Sequence, residues 1–235
     1  MTTPIWQQIH DTLSREIADG QFPPGEKLPT EAALSQRFGV NRHTVRRALA
    51  EMQGTGLVHS RRGAGVFVTG APLTYRVGPR TRFSQNLRDS GHSGDREIIR
   101  LETLPATQSN AAKLDIEKGA LVHILEAVGT IDGSPAFFGR SIFPAEPLAD
   151  FPAAMRETRS ITAALKACGI ENYRRDWTRL SAERANGTVA RHLRIAEGAP
   201  VLRAKALNRA DAGWPVEYAR TTFCADRVEL LIEDT

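Results

Sequence analysis

The chain has 235 residues, 41% hydrophobic and 25% charged, which suits one large or two ordinary globular domains and excludes a disordered chain. Its two cysteines, Cys168 and Cys224, fit no CxxC or zinc spacing, so a reducing compartment is expected and neither a metal nor a cofactor. The net charge of +4 is unevenly placed: residues 36–70 hold six arginines (Arg37, Arg42, Arg46, Arg47, Arg61, Arg62) against one acid, Glu51, the electrostatic footprint of a polyanion site. No apolar run reaches the ~18 residues of a membrane span. The first 17 residues include acids and no unbroken apolar core, so they read as neither signal peptide nor anchor, and a cytoplasmic setting without membrane contact is expected.

In chain order, Ile5, Ile9, Leu13 and Ile17 recur at helical spacing, and Gly20 supplies a stop. A loop stiffened by Pro23, Pro24 and Pro29 follows. Thr30 can cap a short helix over 31–38, with Ala33, Leu34 and Phe38 inward, and Gly39 breaks it. Asn41 can cap a third helix, on which Val45, Ala48, Leu49 and Met52 form the apolar stripe. Helix, Gly-containing turn, helix is the helix-turn-helix pattern. Residues 57–60 and 66–69 read as short strands around an Arg-Arg-Gly-Ala-Gly tip, which makes a wing. Residues 1–70 are therefore expected as a winged helix-turn-helix, residues 71–79 as a Pro/Gly-rich linker, and residues 80–235 as a second domain.

That second domain contains a duplication. Leu114, Ile116, Gly119, Val122 and Asp132 match Leu193, Ile195, Gly198, Val201 and Asp211; after one inserted residue, Pro135, Arg140 and Phe143 match Pro215, Arg220 and Phe223. Each copy reads as helix end, Gly turn, strand, turn, strand. Two copies about 80 residues apart predict a pseudo-symmetric antiparallel sheet, since a solenoid needs three or more. Residues 160–168 should form a helix capped by Ser160, and residues 83–88 another; residues 110–114 belong to a third. The fold class expected is α+β.

Chemistry concentrates in a few places. Major-groove reading needs long donors near the start of a helix with an apolar back. Asn41, Arg42, His43 and Thr44 stand there, and Arg46 shares a face with Arg42, so Arg42 and Arg46 are expected on base edges. Thr30, His43 and Arg47 suit phosphates, and Arg62 and Gly63 at the wing tip suit a sugar-phosphate wall or the minor groove. In the second domain, Arg82 and Ser84 stand at the start of an expected helix and suit an anion. Arg140 and Arg220 hold equivalent positions and are expected to converge on one cleft, with Glu217 able to accept from a ligand or to pair with Arg220.

These residues carry a resemblance. PGEKLPTE, VNRHTVRRAL and the G-x-G-x-F-V wing resemble the GntR family of bacterial repressors over residues 4–68, and RFSQNLRDSG with PVEYARTTFCADR resembles the HutC-type effector domain (UTRA), whose fold is similar to chorismate lyase. RFSQNL beside VNRHTVRRA is similar to the phosphonate-utilisation regulator (PhnF-like) branch. The resemblance implies a transcription regulator: a homodimer on a two-fold DNA operator, controlled by a small and often anionic effector in the C-terminal domain. Carried over to matching positions, Asn41, Arg42, His43, Arg46 and Gly63 would meet DNA, and Arg82, Ser84, Ser160, Thr162 and Glu217 would hold effector; Glu31 is also expected at the DNA site. Two departures stand out. Ala32 sits where relatives often carry Arg, and 127–129 is Ala-Val-Gly where sugar-phosphate sensors carry arginines; Arg140 is then expected to supply the charge. Competing readings are an enzyme on the lyase-like fold and an effector-independent DNA binder. No nucleophile elbow, HExxH, P-loop or Cys/His pair supports the first, and the paired arginines argue against the second.

Overall fold

The computed structural model describes residues 3–61, 64–69, 72–78, 86, 93–131 and 133–232. The chain forms two compact units, Met1–Ala71 and Pro72–Thr235.

The first unit holds α1 (Ile5–Ala18), α2 (Glu31–Phe38), α3 (Arg42–Gly54), β1 (Val58–Arg61) and β2 (Gly65–Val68). Local chemistry sets its boundaries. The Thr30 side chain accepts from the Ala33 N–H, and Gly39 closes α2 in the left-handed region at φ 64°. The Asn41 side chain caps α3 by accepting from the Thr44 N–H at 2.8 Å. Val45, Ala48, Leu49 and Met52 are buried, as the stripe predicted, and join Ile9, Leu13, Leu28, Leu34, Val58 and Val68 in one core. Each fully buried Leu or Ile contributes about 1.5–3 kcal/mol. Ala33, expected inward, is exposed, as is Ile5; half-buried Trp6 packs on the core from α1. β1 and β2 pair antiparallel with Arg61 opposite Gly65. The wing is broader than expected, because the Leu28 N–H donates to the Val66 carbonyl and the Val68 N–H to the Glu26 carbonyl.

The second unit contains β3 (Leu73–Val77), β4 (Arg96–Pro105), α4 (Gln108–Leu114), β5 (Leu121–Ile131), β6 (Ser134–Pro144), α5 (Phe151–Thr158), α6 (Ile161–Ala167), β7 (Tyr173–Arg184), α7 (Gly187–Leu193), β8 (Pro200–Ala210), β9 (Pro215–Cys224) and β10 (Val228–Ile232). Six strands form an antiparallel sheet in the order β4-β5-β6-β9-β8-β7. The order is symmetric about the β6/β9 pair, where Arg140 stands opposite Arg220. The duplication extends to the caps: Thr107 and Asn186 cap α4 and α7, and Asp115 and Arg194 end them in the left-handed region at φ 55° and 54°. β4 and β7 complete the two copies at the sheet edges.

Residues 73–77, read as linker, form a strand instead. β3 pairs parallel with β10, Leu73 opposite Val228, and Leu73 is buried. Its partner lies some 150 residues away in sequence, beyond any local pattern. Of the helix expected over 83–88, only Asn86 is described; its side chain accepts from the Arg76 N–H at 2.7 Å. Helices α5 and α6 cover one face of the sheet around Phe143, Phe151, Met155 and Leu165. Phe151 meets Phe143 in a tilted ring contact at 4.2 Å and stacks on His123 at 6.0 Å. No helix among the described residues is long and apolar enough to cross a membrane.

Candidate functional site

Two surfaces gather the chemistry. On α3, Asn41, Arg42, His43, Arg46 and Arg47 are exposed while the opposite stripe is buried. Arg46 is held: Nε donates to Glu31 Oε1 at 3.1 Å and Nη2 to Oε2 at 2.7 Å, a fork joining α3 to the start of α2. The Arg46 guanidinium lowers the Glu31 carboxyl below its ordinary value, with Arg42 and His43 adding to the effect against partial burial. Glu31, Arg42, His43 and Arg46 thus form one electrostatic group. Arg47 is placed differently from its neighbours, with its guanidinium 4.6 Å from the centre of the Trp6 ring. Thr44 is half-buried, and its hydroxyl donates to Asn41 Oδ1 at 2.9 Å. Thr30 is exposed as the α2 cap. Arg62 and Gly63 lie outside the described residues.

Sequence reading missed Lys27. This exposed cation pairs by backbone with Phe67 on β2. Gly65 has φ 115°, a conformation that favours glycine, and an ideal Cβ there would come 2.7 Å from Cε in the flexible Lys27 side chain. The Lys27 stem therefore lies along the base of the wing and adds a positive charge beside it. A loop lysine far from the hairpin in sequence gave no such signal.

In the second unit, a cavity of ≈ 100 Å³ opens on the α5/α6 face of the sheet. Ser160, Thr162 and Glu217 line it. Glu217 is 5% exposed; its Oε1 accepts from the Ser141 hydroxyl at 2.6 Å and its Oε2 from Asn208 Nδ2 at 2.6 Å. Arg175 Nε donates to the other end of the Asn208 amide at 2.8 Å. That contact fixes the amide so that its NH₂ faces the carboxylate. Ser160 caps α6, and the Thr162 hydroxyl meets the Tyr173 hydroxyl at 3.1 Å.

The lining residues that were not anticipated include Arg96 on β4, Arg175 on β7 and Tyr75 on β3. Arg96 Nη1 donates to the Arg159 carbonyl at 3.1 Å, and its guanidinium lies 6.0 Å from the Phe137 ring centre. Burial pulls the Arg96 pKa down, and the Glu217 charge works against that pull. Burial also pushes the Tyr75 hydroxyl up to about 12, so it stays protonated at neutral pH. These residues sit on strands whose roles become visible only once the sheet is assembled.

Arg140 and Arg220 are a correction. They do not line this cavity. Successive strand residues point to opposite faces, and Phe137, Gly139 and Ser141 with Glu217, Ala219 and Thr221 take the cavity side. Arg140 and Arg220 fall on the other face, where Arg140 Nε lies 3.6 Å from Glu126 and Lys113 is their neighbour. Equivalence in the duplication placed them together, and strand parity placed them away from the cavity. Glu217 accordingly does not pair with Arg220. Arg82 and Ser84 lie outside the described residues.

Known proteins extend the picture. Residues 5–68 match bacterial regulatory proteins of the gntR family, and residues 89–229 match the UTRA domain. The chain belongs to the gntR family and carries a UTRA domain. It is 35% identical to an uncharacterized HTH-type transcriptional regulator of Rhizobium meliloti, over 99% of this chain and 96% of that protein. It is 32% identical to the probable transcriptional regulator PhnF of Escherichia coli, over 97% and 94%. The fold matches the crystal structure of PhnF from Mycobacterium smegmatis with a TM-score of 0.64, at 23% identity and over 97% and 99% of the two chains. This is a PhnF-like, HutC-type transcriptional regulator: a gntR DNA-binding domain followed by a UTRA effector-binding domain.

Proposed function

We propose that the regulator is a repressor that binds a two-fold DNA operator as a homodimer in the cytoplasm, and that a small anion in the UTRA cavity controls its hold on DNA. In this reading Arg42 and Arg46 reach base edges, with Glu31 aligning Arg46. Asn41, His43, Thr44, Thr30, Arg47 and Lys27 meet the backbone, and Arg62 and Gly63 at the wing tip approach the minor groove. Ser160, Thr162 and Glu217 hold the effector with Arg96 and Arg175, and Arg82 and Ser84 add to the anion site. Effector binding favours a dimer whose two recognition helices no longer meet successive major grooves ~34 Å apart. The single observation that carries this reading is the cavity itself: two arginines and a buried carboxylate gathered in one small space of the effector domain.

The test begins by selecting bound duplexes from a random pool with purified protein, which gives the operator. Binding of that duplex is then followed by fluorescence anisotropy while phosphate, alkylphosphonates, aminoalkylphosphonates and small carboxylates are titrated. One or more of these anions should shift operator affinity, and Arg96→Gln should blunt the shift without changing affinity in the absence of anion. An operator affinity indifferent to the whole panel would reject anion control. Recovery of no preferred duplex would reject the operator.

A further inference from the structure

The cavity is small and carries charges of both signs. Among the described lining residues, the charged ones are Arg96, Arg175 and Glu217. Two of the three are cations, so an anion is attracted overall, yet an anion lying against Glu217 is repelled. The carboxylate accepts one hydrogen bond on each oxygen, from Ser141 and Asn208. A carboxylate offers about four acceptor sites, so capacity remains for a donor brought by a ligand. Arg175 is engaged through Nε with Asn208 and through Nη1 with Thr178, which makes it the brace that holds the Glu217 end of the cavity. Arg96 stands on the opposite edge strand, three strands from β9 in the sheet order.

Size narrows the choice further. An apolar cavity of about 150 Å³ holds a benzene molecule, so ≈ 100 Å³ calls for a ligand of similar or smaller bulk. Phe137 helps set that limit. Its ring fills the space in front of Gly129, where a Cβ would come 2.0 Å from Phe137 Cε1. Gly129 is the register partner of Arg96, so the ring and the guanidinium close the same corner of the site.

We propose that the effector is a small zwitterion, with an acidic group at one end that meets Arg96 and an ammonium group at the other that donates to Glu217. This rests on the reading of the cavity as the effector site. The separation of the two protein charges across three strands places acid and amine at opposite ends of a short chain. A phosphonate or a carboxylate can supply the acid, and the assay separates the two.

The experiment is calorimetric titration of the full chain with matched pairs: 2-aminoethylphosphonate against ethylphosphonate, and β-alanine against propionate. Hydrogen bonds to a charged group are strong enough that the amino member of at least one pair should bind about 10- to 100-fold more tightly than its des-amino partner. Glu217→Gln should bring the two members of that pair close together, and Arg96→Gln should weaken both alike. The pair that shows the preference identifies the acid. The ratio in the unaltered chain decides by itself, so poor folding of a variant does not remove the test. Equal or tighter binding of the des-amino anions overturns the zwitterion and leaves anion control standing. No binding by any of the four compounds overturns the zwitterion, and anion control is then judged on the operator titration.

Discussion

Replacing Gly129 by alanine tests how the cavity corner is built. An ideal Cβ at residue 129 lies 2.0 Å from Cε1, 2.1 Å from Cζ and 2.7 Å from Cδ1 of Phe137. Carbon atoms pack at about 3.5–4.0 Å, so the ring must retreat by about 1.5 Å. It has little room, being 6% exposed and packed at 5.9 Å against the Phe223 ring. Overpacking of this kind costs about 1–3 kcal/mol. Phe137→Ala costs about 3–5 kcal/mol by opening a void. In that background the clashing atoms are gone, and Gly129→Ala should cost less than about 0.5 kcal/mol. Urea unfolding of the four proteins in the cycle measures the coupling, expected at about 1–3 kcal/mol in favour of the double variant. An equal loss from Gly129→Ala in both backgrounds would refute the claim that the ring fills this space.

Other outcomes follow from the same structure. Arg46→Ala should weaken the selected operator by about 5- to 150-fold while random duplex binding stays nearly constant; an equal loss on random DNA would move Arg46 to the phosphates. Asn41→Ala removes the α3 cap and should lower stability by about 1 kcal/mol, read by urea unfolding; no loss would show that the cap contributes nothing. His123 gives a pH signature. The Leu148 carbonyl only accepts, so Nε2 donates to it at 3.0 Å and Nδ1 accepts from the Thr103 hydroxyl at 2.8 Å. Burial pulls the pKa below 6.5, against the hydrogen bond to the Leu148 carbonyl, which favours the protonated ring. The unfolded chain then binds the proton first, so stability is full above pH 6.5 and falls as pH drops from there toward the lowered value. His123→Gln should flatten stability between pH 7 and pH 5, and an unchanged slope would remove His123 as its source.

The DNA-reading unit was largely legible because its determinants are local. Thr30, Gly39 and Asn41 mark helix ends within a turn of themselves, and the α3 stripe repeats at 3.6 residues. What local reading could not supply was how Arg46 and Arg47 are held, because Glu31 and Trp6 reach them from other helices. In the second unit the duplication announced two strand-turn-strand copies, and both are present. β4 and β7 were not read, although each contributes an arginine to the cavity. Their residues carry many exposed charges, and such strands have no strong apolar alternation to reveal them. β3 likewise needed β10 before it was a strand at all.

The recognition helix, its caps and its apolar back were determined by the sequence alone, since each depends on neighbours a few residues away. The identity of Glu217, Ser160 and Thr162 as a group also came from the sequence, through resemblance. Only the tertiary structure decided which charges share a space. It brought Arg96 and Arg175 in from opposite edges of the sheet and sent Arg140 and Arg220 to the far face. The physical reason is the two-residue period of a strand combined with long-range pairing: one step of parity turns a side chain through the sheet, and only the assembled register says which strand stands beside it.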